Sequence, residues 1–353
     1  MKLSLMTLGD LDTDPVTGQR ETPAQRHQAI VEAAAIAEQV GLHGVHVGEH
    51  HGMEYVYSAP PVILSAIAAR TQRLVLSTAV TLAANLDPVR VAEDYATVDA
   101  LSDGRMEMVV GRGNFFTTTY GLFGQRPEDS HELFAENVRL IMDLWTGRRV
   151  TWAGKFRTAI EDFTLQPAPA AMPPIWIGGG ASEETLKLGA ELGLDLMLPS
   201  SFGNPAMFAP TADKYKELFS AAGHNREPRI GACWHLNVDK TSQRARQRWE
   251  PRYKAYFELF STILHRVNPD PPAFAKRSFD FDYLTTRGPA IVGSPEEVAD
   301  RLSTLAQGLQ ADVNIVYIDM GGQPTTEFLS MVEMLGTEVL PLLPEHPRKG
   351  VAA

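Results

Sequence analysis

Two adjacent histidines and a carboxylate close an apolar run, in the segment Gly48-Glu49-His50-His51-Gly52. Imidazole titrates near neutral pH, so this constellation can do general acid/base work. His and Glu are also common metal ligands. Adjacent residues on a strand point to opposite faces, so His50 and His51 do not readily share one ion, and no metal is expected. Two solvated loop histidines are the plain alternative. A second segment, Gly111-Arg112-Gly113-Asn114-Phe115-Phe116, sets an arginine between glycines. Glycine lets backbone approach a ligand, and guanidinium grips an anion such as phosphate through paired hydrogen bonds. The alternative is an arginine neutralising a nearby acid. A third segment begins Gly178-Gly179-Gly180 and runs on to Ser182, Glu183, Glu184 and Thr185. Free N–H groups at a helix start favour a phosphate, with Ser182 and Thr185 as added hydroxyl donors. An ordinary N-cap at Ser182 is the competing reading. The segment is neither a P-loop nor a dinucleotide fingerprint, because the required Gly-Lys-Ser/Thr and GxGxxG spacings are missing.

Two other stretches carry weaker signals. Thr78 to Pro88 is rich in small residues that would admit a flat ring, although Asp87 and Pro88 equally suit a helix cap and first turn. Cys233 is the single cysteine and has no basic neighbour in sequence, which favours a buried, inert thiol.

These segments need elements to position them. Apolar runs at Lys2–Leu8, His43–Val47, Leu74–Val80, Met106–Val110, Ile175–Ile177, Leu194–Leu198, Arg229–Val238 and Val313–Ile318 read as eight strands. Helical stretches alternate with them: Pro23–Val40, Pro60–Arg70, Pro88–Leu101, Glu132–Trp145, Glu183–Glu191, Met207–Ala221, Thr241–Leu264, Pro295–Leu305 and a closing one from Thr326. The region 148–165 interrupts the rhythm with a small hairpin around Thr151–Trp152 and Lys155–Arg157. Residues 265–288 read as an insertion or lid. The alternation predicts an α/β fold, a (β/α)8 TIM barrel with insertions, over a doubly wound sheet with a helical cap. One domain is expected over 1–340, followed by a tail at 341–353. In such a barrel the chemistry lies at the C-terminal ends of the strands. The three segments above all fall there.

Composition narrows the function classes. The chain has 353 residues, 44% hydrophobic and 21% charged, as in an ordinary globular protein. Asp and Glu number 43 against 32 Lys and Arg, a net charge of −11, which argues against nucleic acid as a partner. No run of apolar residues is long enough for a membrane span, and the start does not read as a signal peptide. A cytoplasmic protein is expected.

Taken together, the loops resemble the bacterial-luciferase-like flavin-dependent oxidoreductases. The matching pieces are VHVGEHHG, STAVTLAANLDPVRVAEDYATVDALSDGRMEMVVGRGN, PPIWIGGGASEETLKLGAELGLDLM and IVGSPEEVADRL, in the family's order across most of residues 1–335. The resemblance implies a luciferase-like barrel holding FMN at the strand ends. It implies that Arg112, Ser182 and Thr185 contact the FMN phosphate beside the Gly179–Gly180 backbone. It implies a cis peptide between Ala79 and Val80 under the flavin ring, and His50 in acid/base work with Glu49 and His51 beside it. The implied reaction is a monooxygenation: reduced FMN from a separate NAD(P)H flavin reductase meets O2, and a C4a-peroxyflavin oxygenates a small organic substrate. Tyr55, Tyr57, Phe115, Phe116 and the 265–288 segment would shape an apolar pocket. A homodimer is implied. The alternatives are hydride transfer with the deazaflavin F420, or a non-catalytic flavin-binding subunit. Two positions depart from the pattern. His131 stands where luciferase has a second phosphate arginine, which weakens the expected grip on phosphate. Gly111 stands in place of luciferase's reactive cysteine, so aldehyde-dependent light emission is not expected.

Overall fold

A computed structural model describes residues 1–180, 182–268 and 278–344. Ten short strands form one all-parallel sheet that curls into a barrel. They are β1 (Lys2–Thr7), β2 (Gly44–Val47), β3 (Val75–Thr78), β4 (Thr81–Leu82), β5 (Met108–Gly111), β8 (Ile175–Gly178), β9 (Asp195–Leu198), β10 (Ile230–Val238), β11 (Ala290–Gly293) and β12 (Val313–Tyr317). β6 (Val150–Trp152) and β7 (Ile160–Phe163) form a separate antiparallel hairpin. β1 pairs with β12 on one side and β2 on the other. The ring closes where β4 pairs with β5 and Leu76 bridges to Met106. Parallel strands need crossovers, and helices supply them. The principal ones are α1 (Pro23–Gln39), α2 (Pro60–Ala68), α3 (Pro88–Ser102), α5 (Ser130–Trp145), α6 (Glu183–Glu191), α7 (Ala209–Ala221), α8 (Ser242–Val267), α10 (Pro295–Gly308) and α11 (Thr325–Met334), with short helices α4 (Thr118–Leu122) and α9 (Phe281–Thr286).

The expected (β/α)8 architecture is therefore present, with three differences. The third strand is not continuous: it breaks into β3 and β4 at a cis Ala79–Val80 peptide. The returning arm of the hairpin is Ile160–Phe163, not Lys155–Arg157, because Gly154, Lys155 and Phe156 are held against α5: Glu136 accepts from the Lys155 and Phe156 N–H groups. β11 was hidden in sequence because four apolar residues between Pro289 and a helix start carry little periodicity. It adds to the upper part of β10, from His235 to Val238, while β12 takes the lower part.

Helix starts follow their sequence signals. Thr22 and Gln25 form a capping box on α1. Asp87 accepts from the Val89 and Arg90 N–H groups at the start of α3. The N-terminal end of the barrel is plugged by charge. Arg229 bridges Asp195 (2.7 Å) and Glu107 (3.1 Å) and lies over the Trp176 ring. Function is thereby left to the other end. There, Arg252 on α8 makes a two-pronged bridge to Asp14, both bonds 2.9 Å and buried, which pins α8 over the barrel mouth. Of the expected lid at 265–288, the last turn of α8 and all of α9 are described; 269–277 lie outside the described residues, as do 345–353 of the expected tail. Leu343 is buried against the core. No described helix is long and apolar enough to cross a membrane.

Candidate active site

The strand-end loops converge at one mouth. His50 follows β2, and its N–H donates to the Tyr57 carbonyl (3.0 Å). Its ring stacks on Tyr55 at 4.1 Å and meets the edge of Phe116 at 5.5 Å. Burial, with the neighbouring His51 adding to it, pushes the His50 pKa down to about 3. The imidazole is therefore neutral at physiological pH. Its Nδ1 is buried without a hydrogen-bond partner.

Glu49 turns the other way. One carboxylate oxygen accepts from His51 Nε2 at 2.7 Å, and the other accepts from the Leu82 N–H at 3.1 Å. It thus ties the β2 loop to β4, just beyond the cis peptide. The cis Ala79–Val80 bond itself is present as the resemblance implied. Val80 fills the space over β5: a Cβ on Gly111 would stand 2.3 Å from Val80 Cγ2. Glycine at 111 is thus a packing requirement.

Arg112 donates from Nη1 to Ser130 Oγ (3.0 Å), and its carbonyl accepts from the Tyr120 hydroxyl. Burial lowers its pKa, while Glu184 pulls the other way. His131 is exposed at the start of α5. Burial first, and then Arg112, lower its pKa. Arg112, His131 and Glu184 therefore sense one another's charge at the junction of β5, α5 and α6. Ser182 is the N-cap of α6: its oxygen accepts from the Thr185 N–H (3.3 Å), and its hydroxyl bonds Glu184 (2.9 Å). The Thr185 side chain is buried. Glycine at 180 also answers to packing, because a Cβ there would press on Pro199 and Phe208 at 2.8 Å.

Sequence reasoning brought most of these groups together and missed three. Ser130, buried at the first turn of α5, is the hydroxyl beside Arg112. Asn85 is buried just past β4 with both amide atoms unpartnered, packed where a Cβ on Gly113 would touch it. His235 on β10 also opens into this end of the barrel. Nothing in the sequence marks any of them, since each gains its meaning from a contact across the barrel. Tyr57 is a correction: it lies in the core against Gly9, and its hydroxyl donates to the Arg26 carbonyl, so it lines no pocket. Cys233 is buried beside Met6, and burial pushes its thiol up to about 12, as expected of an inert cysteine. Among the described residues no group of three or more His, Cys, Asp or Glu could hold a metal ion.

The arrangement suits a flat, phosphorylated cofactor. A guanidinium and a helix start lie at one edge for an anion. Unpartnered Asn85 amide atoms and His50 Nδ1 await polar partners, and a buried polar group without one is costly. Ala79, Val80, Met53 and Phe116 supply an apolar floor between.

Known proteins share this plan. The chain is 29% identical to an F420-dependent glucose-6-phosphate dehydrogenase of Nakamurella multipartita, over 65% of this chain and 69% of that one. It is 27% identical to the pyrimidine monooxygenase RutA of Enterobacter cloacae, over 80% and 77%. The crystal structure of the monooxygenase RslO1 from Streptomyces bottropensis shares the fold, with a TM-score of 0.83 at 24% identity, covering 97% of this chain and 99% of that one. Relatives of both cofactor types make this an oxidoreductase that uses a flavin or a deazaflavin. The luciferase-like monooxygenase family model matches residues 1–312, which include every strand-end loop described above, and this chain belongs to that family.

Proposed function

We propose that the protein is an FMNH2-dependent monooxygenase acting on a small organic substrate. The observation that carries this reading is the enclosure of a neutral His50 by Tyr55 and Phe116 beside a single-guanidinium anion site. One guanidinium, with Glu184 and His131 beside it, suits one phosphate better than the longer anionic tail of F420. Reduced FMN, supplied by a separate NAD(P)H flavin reductase, would bring the capacity to activate O2. Arg112, Ser182, Thr185, His131 and the Gly179–Gly180 backbone would hold its phosphate. Ala79 and Val80 would support its ring.

The chain's own residues then have distinct tasks. His50 offers a neutral imidazole that holds or moves one proton at the reacting centre. The aromatic rings around it exclude water, which protects a reactive oxygen species from loss. Glu49 and His51 act on His50 and the β4 loop by position. We also place the protein in the cytoplasm as a homodimer. Val62 on α2 and Leu101 on α3, exposed to 70% and 60%, offer apolar surface for the second copy.

The test is an anaerobic titration with reduced FMN and, separately, with reduced F420, followed by O2. Selective FMN binding and an oxygen-dependent transient in the absorbance support the reading. Selective F420 binding with no oxygen-dependent transient would replace it with hydride transfer. In the oxygenase, His50→Ala should lower turnover by about 10²–10⁴-fold while FMN still binds. Unchanged turnover removes the role of His50.

A further inference from the structure

Under α8 lies a cavity that opens to solvent at its mouth. Its walls are mainly rings. Phe202 and Phe260 stack at 5.4 Å and 26°, and Tyr253, Tyr256 and Phe257 complete the slot. The ring series continues from Phe260 to Phe116 (5.9 Å) and from Phe116 to His50 (5.5 Å). The cavity therefore opens along one aromatic wall toward the proposed reacting centre.

One buried polar side chain stands out in that wall. His235 projects from β10, 5% exposed, with rings of Phe202, Tyr253, Tyr256 and Tyr317 around it. Its Nδ1 lies 2.8 Å from the Tyr253 hydroxyl. Tyr253 is itself fixed, stacked on Trp249 at 4.4 Å and 4°. Tyr253 Oη makes no other hydrogen bond among the described residues. Its proton is therefore satisfied by donating to Nδ1. In a neutral imidazole that choice puts the ring proton on Nε2. Burial keeps His235 neutral, with a pKa near about 3. Nε2 has no protein partner among the described residues.

We propose that this cavity binds a flat, uncharged aromatic compound whose ring-conjugated carbonyl oxygen accepts a hydrogen bond from His235 Nε2–H. Calling that compound the substrate rests on the oxygenase reading above; the binding itself does not. The described walls favour an uncharged ligand. Among the described residues no Lys or Arg lines the cavity, so they offer an anion no charged partner. The one carboxylate among the described lining residues, Asp280, sits exposed at the rim and caps α9 by accepting from the Tyr283 N–H. Stacked rings favour a planar aromatic guest. A donor fixed in the wall selects for an acceptor, and a carbonyl in the ring plane is the neutral acceptor that fits a slot.

The experiment compares fluorenone with fluorene, a matched pair differing by the carbonyl. Binding to the full-length protein is followed by tyrosine and tryptophan fluorescence, and the ketone's carbonyl stretch by infrared difference spectroscopy. Fluorenone should bind about tenfold more tightly, the size of one buried hydrogen bond. Its carbonyl stretch should shift to lower wavenumber. His235→Phe should abolish both the preference and the shift while fluorene still binds. His235→Gln, which restores a donor, should keep part of both. Tyr253→Phe should weaken the shift, since Nε2 is no longer held as the donor. Equal affinities in the wild type, a preference surviving in His235→Phe, or no saturable binding of either compound would each overturn the proposal. Reduced-FMN titration of the same preparations separates the two readings. Loss of FMN binding with the ketone preference intact fails the oxygenase alone. FMN binding without the preference fails the cavity proposal alone.

Discussion

Gly111 has no room for a side chain, and this decides what the β5 loop can do. Val80 Cγ2 occupies the position a Cβ would need. Gly111→Ala should cost about 1–3 kcal/mol by overpacking and, because Val80 must move, weaken cofactor binding as well. Thermal unfolding and an FMN titration check both, and an unshifted melting temperature refutes the packing argument. Glu49 offers a second test at this scale. Glu49→Ala leaves the Leu82 N–H without its acceptor inside the protein, at a cost of about 1–3 kcal/mol. Glu49→Gln keeps an acceptor and should recover most of that loss. Equal destabilisation by both variants would show that charge, not the hydrogen bond, matters there. The sequence brought Glu49, His50 and His51 together as one group. Only the contacts separate them, because successive side chains leave the chain in different directions. His50 goes to the rings and Glu49 to the β4 backbone.

The elements around the proposed anion site carry an internal opposition. The start of α6 favours an anion, yet Glu184 lies on that first turn, bonded to Ser182 and within the electrostatic reach of Arg112. Glu184→Gln should therefore tighten reduced-FMN binding about two- to fivefold at low salt, with the gain fading as salt screens the charge. Weaker binding in the variant would mean that Glu184 orients the cap more than it repels the ligand. Helix boundaries here were legible in sequence, because caps are local: Ser182, Asp87 and Ser294 all cap the helices they precede. Strand boundaries were less so. The third run reads as Leu74–Val80, yet β3 ends at Thr78 and pairing resumes in β4, with the cis Ala79–Val80 peptide between them. β11 depends on finding β10 beside it.

For the whole molecule, buried neutral histidines set the response to acid. Burial pushes His43 and His46 down to about 4, and His50 and His235 to about 3. Unfolded, each would take up a proton near pH 6.5. Between about pH 6.5 and pH 4 the unfolded chain thus binds more protons at these sites, and stability falls as pH falls. Each such histidine contributes up to about 1.4 kcal/mol per pH unit. Asp319, raised to about 6 by burial, acts in the opposite sense between about pH 4 and 6, as do Asp12 and Asp99, also raised by burial, against the four histidines. The melting temperature should be flat above pH 7 and drop steeply between pH 6.5 and 5. A flat profile through that range would show that the histidines open to water. The same shifts predict turnover with no inflection from His50 above pH 5, since it stays neutral there.

Local chemistry and periodicity were enough to determine the class of this protein. The eight apolar runs with intervening helices specify a barrel, since parallel strands require crossovers and crossovers place loops at one end. The glycine-flanked Arg112 and the capped glycine run mark the proposed anion edge, because backbone access and cap geometry are properties of a few consecutive residues. The tertiary structure decided the rest. Ser130 meets Arg112 across 18 positions, and Asn137 reaches back 54 to the Ala83 carbonyl. Arg252 anchors α8 to an aspartate 238 residues away. His235 became a directed donor only when a helix after its strand returned Tyr253 to its ring. Hydrogen bonds and ring contacts of that reach depend on how strands and helices close in space, which no short window of sequence records.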